Sequence, residues 1–198
     1  MDPGTPSDLD PDAIRLPFLV QDYFVPNGCF GDRDCSGDVV AIDGRGCLAL
    51  PTKLQGACAV YTYAPLAQGD DGYQGYLGIL FQGVGPFGES QIGKVPGRKV
   101  EPGAQSVTFW AKVGAGSVDV TFRAGGANNW EGQTDGSLPY KDDFGLPLDV
   151  TLTNEYQPLT IDLSGISYTT VVSPFGWSIA SHGSVDPVQL FIADVRWE

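Results

Sequence analysis

Hydrophobic and polar residues alternate with a period of two along much of this chain. Segment 106–113 (SVTFWAKV) carries the pattern, and 117–124 (SVDVTFRA) repeats it after a Gly-rich interval, VGAG. Alternation sends successive side chains to opposite faces of an extended backbone, which predicts half-buried strands. The same reading applies at 57–63 (ACAVYTY), 76–82 (YLGILFQ) and 148–152, and 16–25 (LPFLVQDYFV) predicts a first strand. Downstream lie LTNEYQPLTIDLSG, SPFGWSIA and VQLFIADVRWE, each a short run of β-formers closed by Gly, Pro, Asn or Asp. No stretch has a helical period, so consecutive antiparallel strands are expected rather than βαβ units. The short interval between 106–113 and 117–124 predicts a hairpin. Segment 26–55 reads as loop, and residues 1–14 read as a flexible acidic arm, leaving 15–198 as one domain.

Charge narrows the partners. Asp and Glu total 24 against 11 Lys and Arg, a net charge of -13 that repels phosphate backbones and excludes nucleic acid as the expected ligand. No apolar run approaches the length of a membrane span. The 27 glycines and 11% aromatic content suit an exported β-protein. Cys29, Cys35, Cys47 and Cys58 form no CxxC pair. Two disulfides in an oxidising compartment are therefore expected rather than a zinc site. Of the three pairings, Cys29–Cys35 with Cys47–Cys58 is favoured, because each closes a short Gly-rich loop. The expected location is secreted, periplasmic or on the outer cell surface, with a lipid anchor supplied by a segment ahead of this one.

The order FVPNGCFGD, ACAVYTYAP, GYLGILFQ, GAQSVTFWAKVGAG, VDVTFRAGG and LSG…FGW…FIADVRWE resembles the galactose-binding-like β-jelly rolls. These are related to carbohydrate-binding modules and occur in secreted and surface-anchored bacterial proteins. The resemblance implies an all-β antiparallel sandwich that binds extracellular or cell-surface glycans without catalysis. It also implies a structural calcium held by an acid of the last strand and ligands near the first, here Asp194 and Asp22. The family pattern has two acids where this chain has Ala193 and Asp194.

Sugar recognition needs flat aromatic faces and polar groups that bond hydroxyls. Segment 123–140 supplies both: Arg123, Asn128, Asn129, Trp130, Gln133, Asp135 and Tyr140, with Trp130 the leading platform. Tyr73, Tyr76 and Gln82 form a second group, while Trp110, Trp177 and Trp197 lie within strands and are expected to pack. A further calcium candidate is the acidic run Asp32, Asp34, Ser36, Gly37, Asp38 and Asp43, where alternate side chains can converge on one hard cation. Catalytic signals are lacking: His182 is the single histidine, and no GxSxG elbow occurs. A non-catalytic glycan binder is the expected function. The alternatives are a structural or adhesive surface protein assembling through protein contacts, and a carbohydrate-active enzyme with an unrecognised carboxylate pair.

Overall fold

The structure, a computed structural model, describes residues 10–32, 58–71, 73–83, 92–127, 138–181 and 186–198. The strands are, in order, β1 (Phe18–Leu19), β2 (Val25–Gly31), β3 (Cys58–Tyr63), β4 (Tyr76–Gln82), β5 (Arg98–Lys99) and β6 (Ser106–Val113). There follow β7 (Ser117–Gly125), β8 (Gly145–Thr153), β9 (Gln157–Asp162), β10 (Thr170–Val171), β11 (Phe175–Ala180) and β12 (Val188–Trp197). The expected strand at 16–25 is interrupted by a 3₁₀ turn, Val20–Asp22, and β2 runs on into the segment read as loop.

Two antiparallel sheets face each other in a jelly-roll sandwich. In the first, β12 pairs with both β1 and β3 on one side and with β6 on the other, and β9 lies beyond β6. The second has the order β2-β4-β11-β7-β8. The predicted hairpin is corrected here: β6 belongs to the first sheet and β7 to the second, so the turn between them is an arch that crosses the sandwich. Both strands turn their apolar residues inward across the arch, where Phe109 and Phe122 meet with ring centroids 4.6 Å apart. Alternation along two strands reports which residues share a face and is silent on whether the strands pair edge to edge or face to face.

Phe175 joins Phe109 at 4.9 Å and Phe81 at 5.6 Å, and Trp197 packs on Phe18 and Tyr168. Burial of each such ring stabilises the fold by about 1.5–3 kcal/mol. Trp177 packs on Tyr61 in the same interior, and both Trp177 and Trp197 are fully buried. Trp110 instead lies on the outer face of the first sheet, with Phe191, Val60, Cys58 and Ala193.

The chain is already docked at its first described residues. Ile14 bridges Val100, with hydrogen bonds from its N–H to the Lys99 carbonyl and from the Glu101 N–H to its own carbonyl, both 2.9 Å. Lys99 pairs with Asp10 at 2.5 Å. Asp10 and Ile14, within the segment read as an arm, are held against Lys99, Val100 and Glu101.

Neither Cys29 nor Cys58 is a free thiol. Cys29 faces the interior, whereas Cys58 sits on the outer face of the opposite sheet. They cannot bridge to each other, which leaves the two pairings that use Cys35 and Cys47; both of those lie outside the described residues.

Candidate functional site

The inward face of the second sheet is filled by large apolar groups, and its outward face carries an uncommon number of small ones. Register aligns Phe30, Gly78, Ser178, Thr121 and Asp149 in one row across β2, β4, β11, β7 and β8. The neighbouring row holds Gly28, Leu80, Gly176, Arg123 and Pro147. On the other side Tyr76 pairs with Ala180, and Asp119 with Thr151. Because Ser178 and Ala180 project so little, the face is hollow above them. A groove of about 450 Å³ lies there, lined by Tyr76, Asp119, Thr121, Asp149, Ser178 and Ala180 among others. It shares Asp119, Thr151 and Ala180 with a second hollow of about 690 Å³ that continues toward one end of the sandwich.

Beside the groove, on the same outward face, lies an aromatic and cationic patch that meets it at Tyr76. The Phe30 ring lies across Gly78, where a Cβ would come within 2.1 Å of it. Tyr76 adjoins Phe30 at 6.1 Å between centroids and is 39% exposed. The stem of Arg123 crosses Gly176, its Cγ 3.3 Å from where a Cβ would stand, and carries the guanidinium over Phe30 at 5.7 Å. The Nε of Arg123 is buried without a hydrogen-bond partner. Burial holds this guanidinium below its ordinary pKa, with the Asp149 charge opposing that shift.

The groove itself is acidic. Thr121 donates to Asp149 Oδ1 at 2.6 Å, and Thr151 donates to Asp119 Oδ1 at 2.5 Å. The two pairs stand two rungs apart on one face of the β7–β8 ladder, and both aspartates are exposed.

Loops flank the groove beyond Leu80. Ala127 and Leu138, the described residues on either side of 128–137, pack with Leu80, Ile92 and Val172 and against Phe30. Asp142 fastens this region, for its buried carboxylate accepts the backbone N–H of Ala127 at 3.1 Å, Val172 at 2.7 Å and Ser173 at 3.1 Å. Burial pushes the Asp142 carboxyl up to about 7, against the downward pull of those three donors.

The residues expected to bind ligand are distributed unevenly. Tyr76 and Arg123 stand on the groove face. Tyr140 is exposed on a flanking loop, its N–H bonded to the Gly93 carbonyl at 3.0 Å. Gln82 is corrected from ligand to support: it is 0% exposed, accepts the Gly93 N–H at 2.8 Å and reaches Asn27. Tyr73 bonds Ser181 at 3.2 Å. Asn128, Asn129, Trp130, Gln133 and Asp135 lie outside the described residues. Phe30, Asp119, Asp149 and Ser178 were missed. Only the register, which aligns them in adjacent rows, marks them out.

Two of the calcium candidates that can be placed are engaged by protein groups. Asp32 is buried and accepts hydrogen bonds from the Tyr63 hydroxyl at 2.7 Å, from the Gly75 N–H at 2.9 Å and from the Gln74 N–H, so it pins a loop. Asp194 stands at the β12 bulge with φ 56° and is gripped by Arg196 through Nε at 2.8 Å and Nη2 at 2.7 Å. Asp22 is exposed, and no group of three or more His, Cys, Asp or Glu gathers among the described residues. Asp34, Ser36, Asp38 and Asp43 lie outside them.

No protein-family model matches the chain, and no curated protein does. Among solved structures it is similar to a family 30 carbohydrate-binding module, at 14% identity and TM-score 0.43, over 87% of this chain and 82% of that one. It is also similar to a mutant family 29 module at 7% identity and TM-score 0.38, over 92% and 91%. A third is the family 11 module from Clostridium thermocellum, in complex with a β-1,3-1,4-mixed-linked tetrasaccharide, at 12% identity and TM-score 0.40, over 86% and 95%. These are likenesses of fold, and the chemistry of the groove has to come from its own residues. No helix among the described residues is long and apolar enough to cross a membrane.

Proposed function

We propose that the chain is a non-catalytic carbohydrate-binding domain that seats a glycan across the outer face of its second sheet. The observation that carries this reading is the hollow row of small residues bounded by an exposed tyrosine and two threonine-held carboxylates. A pyranose has an apolar face, which stacks on Tyr76, and a rim of hydroxyls, which donate to the exposed carboxylates of Asp119 and Asp149. Ser178 and the threonines add groups that donate or accept. The site is built on strands, so it is formed before ligand arrives and little ordering opposes binding.

The same geometry favours binding over hydrolysis. A glycosidase needs one of its two carboxyls protonated. Here each spends one oxygen accepting a threonine hydroxyl from the neighbouring strand. Incubation with a panel of polysaccharides is expected to release no new reducing ends.

Export belongs to this reading, supported by the oxidised state of Cys29 and Cys58. Its pairing is Cys29–Cys35 with Cys47–Cys58, checked by mass spectrometry of non-reduced peptides. The binding claim is tested by calorimetric titration of soluble oligosaccharides into the wild type and Tyr76→Ala. The expected result is micromolar to millimolar affinity that falls at least about tenfold in the variant. Binding that ignores Tyr76 would move the site elsewhere.

A further inference from the structure

Several cations among the described residues are held by neighbours. Arg196 holds Asp194, Lys99 holds Asp10, and Lys112 lies over the rings of Tyr156 and Phe191 at 5.0 and 4.9 Å. Arg123 is largely buried on the groove face, makes no ion pair among the described residues, and leaves its Nε without an acceptor. A desolvated charge with no partner is costly, and proteins rarely keep one without a use. The nearest acid in the register is Asp149, two rungs away on β8. Yet the arginine turns from it, crossing Gly176 to lie over Phe30. The two glycines beneath this course, Gly176 and Gly78, leave room for the stem and the ring. The outward face therefore separates its charges, with a cation beside the groove, over Phe30, and two carboxylates lining it.

We infer that the groove selects an acidic glycan, whose anionic substituent pairs with Arg123 while the hydroxyls of the same chain donate to Asp119 and Asp149. This rests on the glycan-binding reading and adds the class of sugar. The planar guanidinium fork suits either a uronate carboxylate or a sulfate ester, which share the acceptor geometry it needs. The net charge of -13 does not oppose this, because charges farther than about 8 Å are screened at physiological salt and the local pair decides. Opposite charges held apart on this face also fix the direction in which the sugar lies.

The test titrates the full chain with three oligosaccharides of equal length: a uronate, a sulfated one and a neutral glucan. Wild type, Arg123→Gln, Arg123→Lys and Tyr76→Ala are compared at low and physiological salt. At least one anionic probe is expected to bind about tenfold or more tightly than the neutral one, with the advantage shrinking as salt rises. Arg123→Gln removes that preference and leaves neutral affinity within about threefold, whereas Arg123→Lys keeps part of it. Which anionic probe shows the effect separates carboxylate from sulfate. The inference is overturned if the neutral glucan binds as tightly as both anionic probes, or if Arg123→Gln weakens all probes alike. Tyr76-dependent neutral binding with no anionic preference removes this inference and leaves the glycan site standing. No binding by any probe removes both. If Arg123→Gln melts well below wild type, the lysine variant carries the comparison.

Discussion

The two outward faces of the sandwich solve the same problem in opposite ways. On the first sheet, Trp110 and Phe191 are large enough to cover their own strands, and Val60, Cys58 and Ala193 are buried with them. Lys112 is flanked there by two rings. On the second sheet Ser178 and Ala180 leave a groove over β11, and Arg123 meets a single ring. One face has completed its packing and its charge pairing within the chain, and the other has left both to be completed. An aromatic residue on a strand is therefore weak evidence for a ligand, and a small residue between aromatic and charged neighbours is stronger evidence.

The sharpest way to break the contrast is through pH, since Asp142 fastens the loops beside the open face only. Its carboxyl is raised to about 7, above the ordinary value of 3.8. The folded state then holds its proton more tightly than the unfolded state. The stabilisation is complete below about pH 4 and is lost as pH rises through about 7. Chemical denaturation between pH 5 and pH 8 should show stability falling by on the order of 2–4 kcal/mol, a slope that Asp142→Asn flattens. A flat wild-type profile would show that the three backbone donors hold the carboxylate ionised throughout.

Next in size is a pair of truncations with opposite signatures. Trp110→Ala should cost about 2 kcal/mol in urea denaturation and leave glycan affinity unchanged. Tyr76→Ala should weaken glycan binding by about tenfold with a stability change within about 0.5 kcal/mol. If both variants lose affinity, the two faces are not independent.

Two interior tyrosines give a finer contrast. Tyr63 donates to the buried Asp32, and removing its hydroxyl strands that carboxylate, so Tyr63→Phe should cost about 1–3 kcal/mol. The Tyr61 hydroxyl is buried with no partner, so Tyr61→Phe should be neutral or stabilising by thermal melting. The smallest expected effect is that of EDTA. Asp32 and Asp194 are already occupied by protein donors, so the melting temperature should not move. A fall would locate a cation in the acidic segment from Asp34 to Asp43.

The period-two pattern read most strands correctly, because inward Phe109, Phe122 and Phe175 must alternate with polar neighbours to build a two-sheet core. It failed at the β6–β7 arch, where a hairpin and a crossing demand the same alternation. Of the residues it singled out by type, Tyr76 and Arg123 lie on the outward face of the second sheet. It misplaced Gln82, whose amide is consumed by Gly93 and Asn27. It could not find Asp119 or Asp149, which look like any exposed strand acids until β8 is laid beside β7. Nothing in the sequence separates Asp142 from Asp143, yet only the former is buried.

The central position of β12 has a consequence for how the protein comes into being. The last strand of the chain is gripped by β3 and β6 at once, and β6 reaches β9 only beyond it in the sheet. Until β12 has been made, the first sheet lacks its middle, and β3 has no strand of that sheet to pair with. Such a chain, ruled by contacts distant in sequence, assembles slowly and late. Until then the domain stays open, with apolar surface that a chaperone has to shield.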